Sequence, residues 1–150
     1  MIGLLLMALI VQVRQTIGIH EDWGAFRERG PDRCFAMAAP VHVRRSGFVA
    51  ISYWPGAKVQ AQLHVRLSRP RSDAARVTLT IGDRRFRLTA GPRDAWAPDA
   101  VTDRAIVAAM RGARSLSVET VGANRRPFAD VYRLSGAASA IDAAGAACAG

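Results

Sequence analysis

The sequence predicts a mainly β, single-domain antiparallel β-sandwich with one or two short helices. Segments in which apolar and polar residues alternate recur along most of the chain, separated by turn residues at intervals of about eight to twelve residues. Only two segments carry a helical pattern, one before residue 113 and one near the C-terminus. The 150 residues, half of them apolar, suffice for one domain with a sizeable core and exclude a disordered chain.

Three strands are predicted in the first half of the chain. Residues 34–39 form a short apolar run that a proline stops, and residues 47–54 form a second run that ends at a Pro-Gly turn. In residues 62–68 every second side chain is apolar. His64 and Arg66 are therefore expected on the outer face of the sheet.

The clearest hairpin lies at residues 76–88. Two alternating strands flank Gly82 and Asp83, which form a two-residue turn. Arg85 and Arg87 are then expected to face solvent, where their charges oppose edge-to-edge pairing of sheets.

The strongest helical pattern follows the hairpin. Ile106, Val107 and Met110 share one face of this helix. Asp103 is expected away from that face, where it suits the positive end of the helix dipole, and Gly112 fits a left-handed helix stop. The candidate N-cap residues are Asp99 and Thr102.

Two further strands are predicted at residues 115–121 and 128–134. In the second of these, Asp130 and Tyr132 share a face with apolar neighbours. If that face is buried, the carboxylate needs a partner, because an unpaired buried charge is expensive. The candidate partners are Arg126, Arg133 and backbone N–H groups at a helix start. We expect Asp130 and Tyr132 to be structural residues rather than functional ones.

The three tryptophans, Trp23, Trp54 and Trp96, are large anchors in a chain with few aromatic residues. We expect them to be core anchors rather than a sugar-stacking platform, and Trp23 is expected in the core or at a sheet edge. Trp23 and Trp96 therefore join Asp130 and Tyr132 as candidate structural residues.

The formal net charge of +9 comes almost wholly from arginine, since Lys58 is the only lysine. The arginines are scattered along the whole chain and no aromatic residues are interleaved with them, so no specific nucleic-acid partner is expected. A basic protein that binds nucleic acid or anionic lipid stays an alternative.

No motif for catalysis, a cofactor or a metal is visible. His20, His42 and His64 lack the spacing of metal ligands, and there is neither a G-x-S-x-G elbow nor a phosphate-binding loop. We therefore predict no catalytic, cofactor-binding or metal-binding residues. The rival hypothesis is a periplasmic enzyme whose site is assembled from Asp94, Asp130 and a histidine.

Residues 1–18 are predicted to be a signal peptide, and residues 19–150 the folded domain. The apolar run at the start has the length of a secretory signal, and no apolar run reaches the ~18 residues of a membrane-spanning helix. The alternatives are an N-terminal strand, a core helix or a wrongly assigned start codon, because the run has no preceding Lys or Arg and no small-x-small cleavage site.

Several short motifs follow one another along about residues 20–150. They are Asp22-Trp23, Cys34-Phe35, the Tyr53 strand, Ile81-Gly82, Ala95-Trp96-Ala97, residues 109–112, the segment Asp130-Val131-Tyr132-Arg133-Leu134-Ser135-Gly136, and a small-residue helix before Cys148. The order of these motifs resembles the invasion-associated locus B family of bacterial envelope proteins.

This resemblance implies an exported, non-enzymatic β-sandwich in the periplasm or on the outer cell surface, with an unknown protein or envelope component as partner and no cofactor. The family is linked in some pathogens to host-cell entry. It brings no catalytic residues to carry over.

The expected state of Cys34 and Cys148 depends on the cellular compartment of the protein. In a cytosolic protein they are expected to be two buried free thiols, whereas in an exported chain they are expected to form a disulfide. With export favoured by the resemblance, we predict a disulfide that ties the C-terminal helix, residues 137–147, to an early strand, with Ile141 facing inward.

Overall fold

The computed structural model describes residues 13–42 and 46–149, which form ten strands, two α-helices and one short 3-10 turn. The strands are β1 (Gln15–His20), β2 (Trp23–Glu28), β3 (Arg33–Ala38), β4 (Phe48–Trp54), β5 (Val59–Arg66), β6 (Val77–Ile81), β7 (Arg84–Ala90), β8 (Asp94–Trp96), β9 (Ser115–Val121) and β10 (Pro127–Arg133). The helices are α1 (Ala100–Gly112) and α2 (Ala137–Ala147), and the 3-10 turn is Pro55–Ala57.

The strands are joined antiparallel in the order β1-β2-β3-β4-β5-β8-β7-β6-β9-β10. The short strand β8 pairs with β5 on one side and with β7 on the other, so the described strands form one continuous hydrogen-bonded order. Residues of strands β2 to β10 and of both helices contribute to one hydrophobic core. The predicted fold class, a mainly β antiparallel sandwich with one or two short helices, is confirmed, and the described residues form two helices.

The two ends of the strand order are held close together. The indole N–H of Trp23 donates to the Arg133 carbonyl at 2.8 Å, and the Asp22 N–H donates to the Ser135 carbonyl at 3.2 Å. Gly136 makes this approach possible, because its φ is +85° and a Cβ there would overlap the His20 carbonyl.

Burial follows the alternation of the sequence. Leu63 and Val65 are fully buried, while Arg85 and Arg87 are exposed on the far side of the hairpin. The Gly82 turn has positive φ, as a two-residue hairpin turn requires. Within the described residues no helix is long and apolar enough to span a membrane.

Asp99, one of the two candidates, is the N-cap of helix α1, since its side chain accepts the Thr102 N–H at 2.7 Å. Two other details of this helix differ from prediction. Gly112 was expected to be a left-handed stop, but it is the last helical residue and Ala113 continues in extended conformation. Asp103 was expected away from the apolar face, but it is buried, with 9% of its surface exposed.

The predicted signal peptide lies mostly outside the described residues, which begin at residue 13. Its last four residues, Gln15–Gly18, belong to β1, where Thr16 pairs with Phe26 and Gly18 pairs with Ala25 of β2. The predicted boundary after residue 18 therefore falls within a paired strand.

Asp103 connects α1 to β5. Its carboxylate accepts the Leu63 N–H at 2.9 Å, so it satisfies a backbone donor that the β5 ladder leaves free. Burial raises the pKa of Asp103, and the Leu63 hydrogen bond opposes that shift only in part. The hydrogen bond fixes the helix on the sheet, and the buried charge opposes folding.

We expect the Asp103→Asn variant to change the pH dependence of stability. Because the folded-state pKa of Asp103 is raised, wild-type stability increases as the pH falls through that pKa and levels off below the unfolded value of about 3.9. The substituted amide keeps an oxygen acceptor for Leu63 and does not titrate. Urea unfolding of both proteins between neutral pH and about pH 4 measures the difference. A constant difference over that range would contradict the prediction.

Candidate functional site

A disulfide joins Cys34 of β3 to Cys148, the residue that ends α2. The two Cα atoms are 5.8 Å apart and 114 residues separate the cysteines in sequence. The tie predicted for the C-terminal helix is therefore present. Cys34 is fully buried, so one anchor of the bond lies inside the core.

Helix α2 packs on the inner side of β1, β2 and β3 through small side chains. Ala140, Ile141 and Ala144 are fully buried, and Ile141 is the one large apolar residue among them. The helix begins without a side-chain cap. A helix with so little apolar surface is weak by itself, so its position depends on covalent and polar ties.

Two polar contacts accompany the disulfide at α2. The Arg27 guanidinium donates to the Ala147 carbonyl at 3.1 Å, close to the end of the helix, and also binds Asp32. Arg111 of α1 binds Asp142 at 2.6 Å, but this ion pair is largely exposed and contributes little.

A cavity of about 580 Å³ lies beside the disulfide, between α2 and the β4–β5 connection. Tyr53, Trp54, Lys58 and Gln60 line one wall, and the C-terminal end of α2 with Cys148 forms the other. Its volume is in the range of small-molecule sites. Because α2 forms one wall, the disulfide helps to hold the cavity in shape.

Several side chains that line this cavity could orient a bound molecule. Burial raises the pKa of Tyr53, so its hydroxyl stays protonated and can donate a hydrogen bond. Trp54 offers an aromatic surface and Lys58 offers a positive charge. The lining described by the structure contains no carboxylate and no histidine, and the Cys148 sulfur is held in the disulfide.

Gly145 allows α2 to lie close to Tyr53, on the opposite wall of this cavity. A Cβ at this position would lie 3.1 Å from the Tyr53 ring and 3.2 Å from its hydroxyl. A glycine within an alanine-rich helix was the signal in the sequence for a large neighbour at this position, but nothing in the sequence named Tyr53 as that neighbour.

Asp130 is almost fully buried, with 2% of its surface exposed. The predicted partners Arg126 and Arg133 are wrong, since the carboxylate instead accepts the backbone N–H of Ser68 at 2.8 Å and the Ser68 hydroxyl. Both donors come from one residue of a loop that follows β5. Asp130 therefore joins that loop to strand β10.

Trp23 and Tyr132 are also buried, at 1% and 0% exposure. The Trp23 indole donates to the Arg133 carbonyl, so it joins the two ends of the strand order. Among the described residues the Tyr132 hydroxyl has no hydrogen-bond partner. Burial, and secondly the charge of Asp130, raise the pKa of Tyr132 far above its usual value.

Trp96 departs from the expected core position. It is 37% exposed, and its ring stacks on His64 with 5.4 Å between ring centroids. His64 in turn contacts Asp94 at 2.9 Å, and Arg66 binds the other oxygen of Asp94 at 2.6 Å. These residues form a polar cluster on the outer face of β5 and β8.

The residues of the rival enzyme hypothesis are only partly brought together. Asp94 pairs with His64, whereas Asp130 has separate partners in the core. No hydroxyl or thiol is hydrogen-bonded to His64 among the described residues, so this pair lacks an adjacent nucleophile. Within the same residues no group of three or more His, Cys, Asp or Glu side chains could hold a metal ion.

Together these features define a disulfide-tied antiparallel β-sandwich whose terminal helix lies beside a cavity with binding chemistry. Invasion associated protein B from Bartonella henselae has the same fold, with a TM-score of 0.62 over 85% of this chain and 94% of that chain, at 18% sequence identity. No protein-family model and no curated protein matches the sequence. The likeness establishes the shared fold that the motif order in the sequence indicated.

Proposed function

We propose that the chain is an exported, non-enzymatic binding module of the bacterial envelope, located in the periplasm or on the outer surface. The observation that carries this proposal is the Cys34–Cys148 disulfide. Disulfides of this structural kind persist in oxidising compartments and are rare in the cytosol of most organisms. The fold shared with invasion associated protein B supports the same class of protein.

Binding is favoured over catalysis by the chemistry of the surface. The cavity next to Cys148 offers an aromatic ring, a hydroxyl donor and an ammonium group, which can orient a ligand, and its described lining holds no carboxylate and no histidine. The partner is an unidentified protein or envelope component, and no cofactor takes part.

The position of strand β1 bears on where the proposed signal peptide ends. Cleavage after residue 18 would remove the first four residues of β1, and with them the pairing of Thr16 with Phe26. We therefore place the end of the signal before Gln15, so that the mature domain retains the whole strand. This placement keeps the apolar run within the removed segment.

Fractionation of the native organism, followed by mass analysis without reductant, tests the proposal. We expect the protein in the envelope or secreted fraction, with its N-terminus before Gln15 and with no alkylatable thiol. The Cys34→Ala variant is the control, because its remaining cysteine should be alkylated. A cytoplasmic protein with two alkylatable thiols and an intact N-terminus would overturn the proposal.

A further inference from the structure

Four loops meet at one end of the sandwich, at residues 46–47, 67–76, 91–93 and 122–126. Backbone hydrogen bonds join them into one surface. The bonds are Leu67 N to Arg93 O (2.8 Å), Arg71 N to Pro92 O (3.0 Å), Ser72 N to Val121 O (2.8 Å) and Ala123 N to Pro70 O (3.0 Å). The Ser46 hydroxyl also donates to the Ser68 carbonyl at 3.3 Å.

These loops bring together six arginines that are scattered in the sequence. We name this surface the arginine end, and its members are Arg69, Arg71, Arg76, Arg93, Arg125 and Arg126. Among the described residues of the four loops, Asp73 is the one acidic side chain. Asp130 lies beneath the surface, where Ser68 binds it.

Two of the six arginines hold the loops together through hydrogen bonds to uncharged acceptors. Arg71 donates to the carbonyls of Gly91 at 2.6 Å and Ala75 at 2.8 Å, and Arg93 donates to the Ser46 hydroxyl at 2.7 Å. These acceptors are neutral. Hydrogen bonds to neutral oxygens satisfy the guanidinium donors but leave the positive charge uncompensated.

Arg76, Arg125 and Arg126 are exposed and have no ion pair among the described residues. The tip that carries the last two is fixed, because the Gly122 N–H donates to the Arg126 carbonyl at 2.8 Å and the Asn124 side chain accepts the Arg126 N–H at 3.0 Å. Arg125 itself has a φ of +63°. A non-glycine residue in that region indicates a tip whose conformation is held by its surroundings.

Elsewhere on the molecule, several arginines are paired with carboxylates at 3.0 Å or less; these pairs are Arg14 with Glu28, Arg27 with Asp32, Arg66 with Asp94 and Arg111 with Asp142. Others, such as Arg87, Arg104 and Arg114, are exposed but lie outside the four loops. The described residues of the four loops carry six arginines and one acidic side chain, and a surface with such an excess of one charge attracts an anionic partner.

We propose that the arginine end binds the phosphate groups of an anionic membrane surface. Loop tips at one end of a sandwich approach a flat surface end-on, and guanidinium groups match phosphate oxygens. Base stacking by a single-stranded nucleic acid would use exposed aromatic rings, whereas Phe128, the ring beside Arg69, is 8% exposed and covered by that guanidinium. The proposal rests on export, which places the chain beside an envelope membrane.

Sedimentation with lipid vesicles tests this surface, using the full, oxidised protein. We expect binding to vesicles that contain phosphatidylglycerol and none to pure phosphatidylcholine, with weaker binding as salt rises. The triple variant Arg76→Gln, Arg125→Gln and Arg126→Gln should bind about a hundredfold more weakly, at about fivefold for each charge removed.

A control variant with the same net charge gives the comparison. Arg87→Gln, Arg104→Gln and Arg114→Gln remove three exposed arginines outside the four loops, and binding should stay within about threefold of wild type. Thermal unfolding of both variants confirms that they are folded.

Three results would overturn the proposal: equal loss of binding in both variants, equal binding of wild type to both kinds of vesicle, or stronger binding to a DNA oligonucleotide than to the anionic vesicles at the same salt. The vesicle assay uses purified protein, so its failure leaves the export proposal standing. If the protein were cytoplasmic and still bound anionic vesicles, only the proposal of export would be contradicted.

Discussion

The Cys34→Ala/Cys148→Ala variant is expected to lose about 5 kcal/mol of unfolding free energy. The disulfide closes a loop defined by 114 residues of sequence separation, and in the chain-entropy model such a cross-link removes much of the freedom of the unfolded chain. The loss is also structural. Without the bond, α2 keeps a single large buried side chain, Ile141, and a few polar contacts.

Thermal and urea unfolding with and without reductant measure this loss. For a domain of this size, about 5 kcal/mol corresponds to a fall in Tm of about 10–20 °C. Reduced wild type should approach the double variant, and reductant should not affect the double variant. Arg111→Ala serves as a second control, because it removes only the exposed contact between α1 and α2 and should cost under about 1 kcal/mol. A loss from the double substitution no larger than that of Arg111→Ala would contradict the prediction.

The same experiment reports on the cavity. Its α2 wall carries Gly145 and Cys148, and it packs against Tyr53. Reduction should therefore increase amide hydrogen exchange in α2 before it affects the β4–β5 ladder, since local opening begins where few buried contacts hold an element. A ligand found for this cavity should bind the oxidised protein more tightly than the reduced one.

The sequence pattern predicted those parts of the fold that are determined by residues close together in sequence. The Gly82 hairpin follows from turn chemistry and alternation, and the buried face that holds Asp130 and Tyr132 follows from period two. The disulfide could be predicted because the chain has only two cysteines and the motif order indicated export.

The errors concern side chains whose environment is set by distant segments. Asp103 is buried because β5 presents a free N–H to it across 40 residues of sequence. Trp96 is exposed because β8 is a short linking strand with His64 beside its outer face. Neither partner is visible from the residues next to them in sequence.

The arginine end could not be predicted from the sequence for the same reason. Arg71 lies far in sequence from the β9–β10 turn that carries Arg125, and the two segments meet because this turn bonds to the loop after β5. A one-dimensional charge profile records both as scattered charges. Their concentration is a property of the strand order.

Asp130→Ala is expected to destabilise the protein by about 3 kcal/mol, because it removes an acceptor that holds two donors of Ser68. The Ser68 N–H and hydroxyl lie in a site that is 9% exposed, where water replaces the lost acceptor poorly. We propose on this ground that Asp130 is structural, since it fixes the loop after β5 on strand β10.

Two further variants separate the parts of this interaction. Ser68→Ala removes only the hydroxyl donor and should cost about 1–2 kcal/mol, since the backbone bond remains. Asp130→Asn keeps an oxygen acceptor and should fall between wild type and Asp130→Ala. Urea unfolding of the three variants, with the disulfide intact, gives the order of stabilities. If Asp130→Ala were as stable as wild type, the carboxylate would have no structural role, and a functional role for Asp130 would have to be reconsidered.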